Sequence, residues 1–240
     1  MVYGIPFHWP SRVPARLARL AMHLLPPRCQ ACDAPGEGGM DLCRACHAAL
    51  PVNDAACRRC ALPLPTPGTC AHCLRQPPPL QATQAAFLYR APLDRLLPRF
   101  KFHHDLASGR LLAQLMAHAC AGCERPQALV PVPLHRGRLR QRGYDQALEL
   151  ARPLASHLRL PLRTDLLRRV RDTTAQSRLD ATARRRNLRG AFAVADGPVP
   201  AHVALVDDVM TTGATLHAAA RALRRAGVAR VDAWVCARVP

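Results

Sequence analysis

A chain of 240 residues that is 49% hydrophobic can bury one core of ordinary size with a small appendage. Its formal net charge of +18 points to polyanionic partners such as phosphates, nucleic acid or an acidic membrane face. No run of 18 or more apolar residues occurs, which excludes a spanning helix, and the opening segment lacks the charged, apolar and cleavage-site order of a signal peptide.

Residues 1–28 read as a short amphipathic segment ending near Pro26-Pro27. A cytoplasmic setting is expected, where cysteines stay reduced or bind metal. Eight of the eleven cysteines lie between residues 29 and 73, as "CQAC", "CRAC", "CRRC" and "CAHC". Such spacing is a repeat of metal knuckles, because each CxxC turn aims two thiolates at one ion and two turns close a tetrahedron. The segment holds too little large apolar material to fold by burial, so zinc is expected to supply on the order of 10 kcal/mol per site. Sequential pairing gives Cys29, Cys32, Cys43 and Cys46 to one ion and Cys57, Cys60, Cys70 and Cys73 to the other. A cross-braced pairing of the first pair with the third is the alternative. The module is placed at 29–75, and the proline-rich "QPPPLQATQ" makes 76–84 a linker.

From 85 to 240 the texture is that of an α/β domain. "AFLYR" reads as a strand, and "PLDRLLPRFKF" and "DLASGRLLAQLMAHA" as amphipathic helices. "ALVPV" is a buried strand and "YDQALELARPLASHL" a helix. "LLRRV", "AFAV" and "HVALV" are strands, "ATLHAAARALRRAG" is a helix and "RVDAWVCARV" a closing strand. Alternating strands and helices predict a mainly parallel sheet flanked by helices. Cys120 and Cys123 form a fifth CxxC late in a helix, read as structural.

The chemistry concentrates in "HVALVDDVMTTGATL", residues 202–216. Ligands of such sheets bind at the carboxyl ends of strands, and here the apolar strand is expected to end at Asp207-Asp208. Val209, Met210, Thr211, Thr212, Gly213, Ala214 and Thr215 then turn into a helix. Turn amides and a helix N-terminus make a nest for phosphate, and threonine hydroxyls donate to its oxygens. Two carboxylates suit a vicinal diol or a magnesium shell instead. A ligand with a diol beside a 5-phosphate is a ribose 5-phosphate. No GK[ST] follows, which excludes a P-loop.

The stretch "VALVDDVMTTGATL" resembles the phosphoribosyl pyrophosphate motif of type I phosphoribosyltransferases. Together with "VPVPLHRGRLRQRGYDQALELA", "QSRLDATARRRNLRGAF" and the cysteine pairs, it identifies the chain as similar to the ComF family from about residue 25 to the C-terminus. The resemblance implies a type I phosphoribosyltransferase-like fold behind a double zinc ribbon. It gives Asp207 and Asp208 the ribose hydroxyls, residues 209–215 the 5-phosphate, and Arg136 and Arg138 the diphosphate, bound with magnesium. Arg142, Gly143 and Tyr144 match a signature after which the family usually shows Asn where this chain has Asp145. Gln176, Arg186 and Asn187 match a mobile loop over 171–187. Lys101, the one lysine among 34 basic residues, matches a family lysine.

The resemblance also implies natural transformation, with single-stranded DNA and a helicase-like partner. Residues 134–190 hold fifteen arginines against five acids, a net of +10 that can track a phosphate backbone. A transferase, a silent sensor of phosphoribosyl pyrophosphate and a nucleotide-metabolism transferase without a DNA role remain alternatives. No residue stands out as an acceptor's general base.

Overall fold

A computed structural model describes residues 27–171 and 190–240. The expected amphipathic segment up to residue 26, and Gln176, Arg186 and Asn187, lie outside the described residues. The chain divides into two compact units, Met1–Ala48 and Ala49–Pro240. The dividing point falls inside the cysteine-rich segment, so one cysteine cluster belongs to each unit.

In the first unit, backbone bonds from Cys29 to Ala34 (2.8 Å) and from Gln30 to Asp41 (2.9 Å) fold the knuckle turns. Helix α1 (Arg44–Ala48) follows the third cysteine. In the second unit, the bridges Ala56–Pro63 and Cys57–Gly68 shape the next pair of turns, and helix α2 (Ala71–Arg75) carries the last cysteine.

The remainder of that unit runs β1 (Thr83–Leu88), α3 (Leu93–Phe102), α4 (Leu106–Cys120), β2 (Ala128–Pro131), α5 (Arg136–Arg142), α6 (Gln146–Leu158), β3 (Leu167–Arg169), β4 (Phe192–Val194), β5 (His202–Met210), α7 (Ala214–Arg225) and β6 (Arg230–Arg238). Four strands form one sheet in the order β1-β6-β5-β2, and each neighbouring pair is parallel. The parallel α/β architecture expected from the alternating pattern is therefore present. β3 and β4 stand apart as an antiparallel pair.

Burial on both faces explains why the strands read as continuous apolar runs. Val203 and Leu205 of β5 join Val231, Ala233 and Val235 of β6 in one cluster with Leu216, Ala219 and Leu223 of α7. The alternate residues, Ala204, Val206, Trp234 and Cys236, are buried too. Helices α4 and α6 pack on each other, with α4 against β1 and β6 and α6 against β2 and β5.

Among the elements that differ from the sequence reading, β1 starts at Thr83, inside the segment read as a linker. The ladder of β5 with β6 keeps a single register from His202–Arg230 to Met210–Arg238, so the strand continues through both acids and ends at Met210. Backbone pairing with a long partner decides that boundary, where local hydropathy suggests an end at Val206. The short helix α5 has no counterpart in the reading of "RGRLRQR", because seven residues without an apolar stripe carry no periodic signal.

Candidate functional site

The site sits where β5 ends and α7 begins. Gly213 takes a left-handed conformation (φ 74°, ψ 5°) and caps α7 with no side-chain cap bond. A Cβ there would lie 2.4 Å from Met210 Cε, so both the turn and the close approach require glycine. Thr211 and Thr212 are exposed and Thr215 half-buried. The amide of Ala214 donates to Thr212 Oγ1 at 3.4 Å.

The two acids are not equivalent. Asp208 is 5% exposed, and Lys101 Nζ lies 2.8 Å from its Oδ2. Asp207 accepts the amide of Asp208 at 2.9 Å. Burial first, and then the neighbouring Asp208 charge, push the Asp207 carboxyl up to about 8, against the opposing pull of Lys101. Near neutral pH Asp207 therefore holds a proton, while Asp208 is the acid that meets the lysine.

Lys101 is presented by the last turn of α3. Three consecutive residues of that turn each hold a different part of the site. Phe100 stacks tilted on Tyr144, with centroids 5.8 Å apart. Lys101 meets Asp208. Phe102 lies under the Arg142 guanidinium at 5.3 Å. The helix is seated by close packing on α4, where a Cβ at Gly109 would fall 2.4 Å from Phe100 Cε2.

The Arg142-Gly143-Tyr144 signature is thus anchored from both sides. Gly143 ends α5 in the left-handed region (φ 78°), and Arg142 donates to Gln146 Oε1 at 3.0 Å. Tyr144 also stacks on His104 at 5.3 Å. Asp145 caps α6 through the amide of Leu148 (3.1 Å) and binds the amide of Leu134 with its other oxygen (2.9 Å). A carboxylate satisfies both donors with separate oxygens, which an amide side chain cannot do with its single oxygen. Burial nonetheless raises its pKa, with the amide bonds opposing. Arg136 is exposed and Arg138 half-buried on α5, in the segment after β2.

The thiols gather in chain order: Cys29, Cys32, Cys43 and Cys46 in the first unit, and Cys57, Cys60, Cys70 and Cys73 in the second, all within 4.8 Å of one another in each group. A tetrahedral zinc with bonds near 2.3 Å sets its sulfurs about 3.8 Å apart. Cys32–Cys43 at 3.6 Å and Cys60–Cys70 at 3.8 Å fit that edge. At Cys57, burial opposes ionisation, but amide donors led by Cys70 (3.3 Å) outweigh it and bring the thiol down to about 7. Both clusters are therefore closed four-cysteine sites suited to structural zinc.

One contact was not legible in the sequence. Arg238, 9% exposed at the end of β6, donates through Nε to the Cys60 carbonyl (3.0 Å) and through a terminal nitrogen to the Met210 carbonyl (3.2 Å). It ties the second cysteine cluster to the residue that starts the Thr211-Thr212-Gly213 turn. Burial lowers its pKa, and the four thiols of the cluster pull the other way. A zinc tetrathiolate carries a formal charge of about −2, so a buried arginine beside it offsets charge as well as bonding carbonyls.

Fold and sites together define a phosphoribosyltransferase-type domain carried with a double zinc ribbon. The family model described as a double zinc ribbon domain matches residues 20–74, and that of the phosphoribosyl transferase domain matches residues 145–240. The chain is 39% identical over 178 residues to Competence protein F of Haemophilus influenzae, covering 70% of this chain and 78% of that protein. It is 36% identical over 175 residues to the DNA utilization protein YhgH of Escherichia coli K12, covering 70% and 77%. A more distant relative is Competence protein ComFC of Streptococcus pneumoniae, 25% identical over 155 residues, covering 65% and 67%. The chain belongs to the ComF family.

Proposed function

We propose that the protein binds phosphoribosyl pyrophosphate with magnesium and acts in the cytoplasm during DNA uptake, handling internalised single-stranded DNA. The observation that carries the ligand is the Asp207-Asp208 pair held in β5 immediately before the Thr211-Thr212-Gly213 turn of α7. The turn amides and hydroxyls suit the 5-phosphate, and the paired carboxylates accept from the ribose hydroxyls. Arg136 and Arg138 suit the diphosphate, and Lys101 holds Asp208 in place. Magnesium bound with the diphosphate neutralises its charge, and Asp207 and Asp208 are the oxygen donors suited to it.

The DNA part of the reading rests on the +10 excess over 134–190 and on relatives named for competence and DNA utilization. A helicase-like partner belongs to the same reading.

Calorimetry with phosphoribosyl pyrophosphate and magnesium tests the ligand. Binding to the wild type that disappears in Asp207→Asn/Asp208→Asn supports it, and equal affinity in the two proteins removes it. Pyrophosphate release over a panel of acceptors separates a transferase from a sensor. Single-stranded DNA should bind with little sequence preference and lose affinity as salt rises, more steeply than after removal of Arg136, Arg138 and Arg140. Absence of binding at low salt would remove the DNA role.

A further inference from the structure

A cavity of about 960 Å³ lies beside the site, between α7, the second cysteine cluster and β4. Its lining includes neither Asp207 nor Asp208 nor Lys101, and it meets the phosphate-type turn only at Met210, Thr212 and Ala214. We propose that this cavity binds a nucleotide, free or at the end of a single strand, as a site separate from the acid pair.

The wall formed by α7 explains the chemistry. Ala214, His217, Ala218, Arg221 and Arg225 all line the cavity, and this spacing places them along one face of the helix. At 1.5 Å per residue the face is about 16 Å long, enough for one nucleotide lying along it. Alanines open the space near the turn, and Arg221 and Arg225, one helical turn apart and exposed, stand at the far end. Two guanidiniums at that spacing suit one phosphate.

The rest of the lining is mixed: Leu62 and the Pro77–Pro79 run supply accessible apolar surface for a base, beside His72, Gln76 and the cysteine cluster, with Phe192 and Met210 buried behind. No carboxylate lines the cavity among the described residues, and Arg238 sits at the cluster side where a zinc tetrathiolate would otherwise repel an anion. The volume falls in the range of small-molecule sites. Accessible apolar surface at Leu62 and the prolines and a cationic far wall suit a ligand with a planar ring at one end and a phosphate at the other.

The test uses zinc-loaded full-length protein and thymidine 5′-monophosphate, which has no vicinal diol for the acid pair, followed by calorimetry at low ionic strength. Arg221→Ser/Arg225→Ser should weaken binding at least about tenfold. The control pair Arg95→Ser/Arg152→Ser, exposed on α3 and α6 away from the cavity lining, should leave it within about twofold. Ala218→Phe, which fills the cavity, should abolish binding, and the arginine pair keeps the test decisive if that variant misfolds. A short oligodeoxythymidine separates the sources. Tighter binding that falls in parallel with the monophosphate assigns the end of a strand, and failure to compete assigns a free nucleotide. No monophosphate binding at millimolar concentration, or binding unchanged in Arg221→Ser/Arg225→Ser, overturns the proposal. Monophosphate binding by a protein that ignores phosphoribosyl pyrophosphate would uphold this site and sink the phosphoribosyl reading alone.

Discussion

Replacing Asp207 by asparagine should make the folded domain more stable and less able to bind its ligand. The wild-type carboxyl titrates near 8 in the folded protein, because of burial and the adjacent Asp208 charge. In the unfolded chain an aspartate titrates near 4. Between those values the folded state holds one proton more, so stability falls as pH rises through the window, and the full cost is reached above about 8. At about 1.4 kcal/mol per pH unit, pH 7 corresponds to at most about 4 kcal/mol. Relaxation around a coupled acid pair brings the expected cost to about 2 kcal/mol. Asparagine keeps the oxygen that accepts the Asp208 amide and removes the charge. The variant should therefore melt roughly 4–8 °C higher at pH 8, with a smaller gain at pH 5. Thermal unfolding of zinc-saturated wild type and variant at several pH values measures this, with calorimetry for phosphoribosyl pyrophosphate alongside. A variant no more stable than wild type, or a gain that does not grow from pH 5 to pH 8, would refute the reasoning. Unchanged affinity would refute the ribose assignment separately.

The same proton links to the ligand: if binding needs the Asp207 carboxylate, affinity should rise up to about tenfold per pH unit below 8, flatten above it, and be accompanied by proton release measurable in two buffers. Gly213→Ala should cost about 1–3 kcal/mol of stability from the left-handed backbone and the Met210 Cε contact, and weaken phosphate-ligand binding at least about tenfold. Arg238→Met should speed chelator-driven loss of one zinc equivalent while the other is released at the wild-type rate, and equal rates for both would remove its role beside the second cluster. Stripping both metals should unfold the cysteine turns, visible as lost protection in hydrogen exchange over 29–73.

Sequence by itself determined the parts whose signal is local. Four CxxC pairs at near-equal spacing define zinc sites without reference to anything distant. An apolar strand, two acids, a Thr-Thr-Gly turn and an amphipathic helix lie consecutively, so their spatial order follows their chain order. The parallel sheet was legible because alternating strands and helices leave few other topologies. What only tertiary structure decided depends on residues far apart in the chain. Nothing near Lys101 in the sequence names Asp208 as its partner; that follows from α3 seating on α4 through the Phe100–Gly109 contact. The unequal state of the two acids follows in turn, since burial and one lysine act on a pair that the sequence writes as identical. Arg238 is one of many arginines in the text of the chain, and the register of β6 beside β5 is what brings it to the Met210 carbonyl and the second cysteine cluster. The cavity beside α7 has no sequence signature at all, because its walls are assembled from segments that only folding brings face to face.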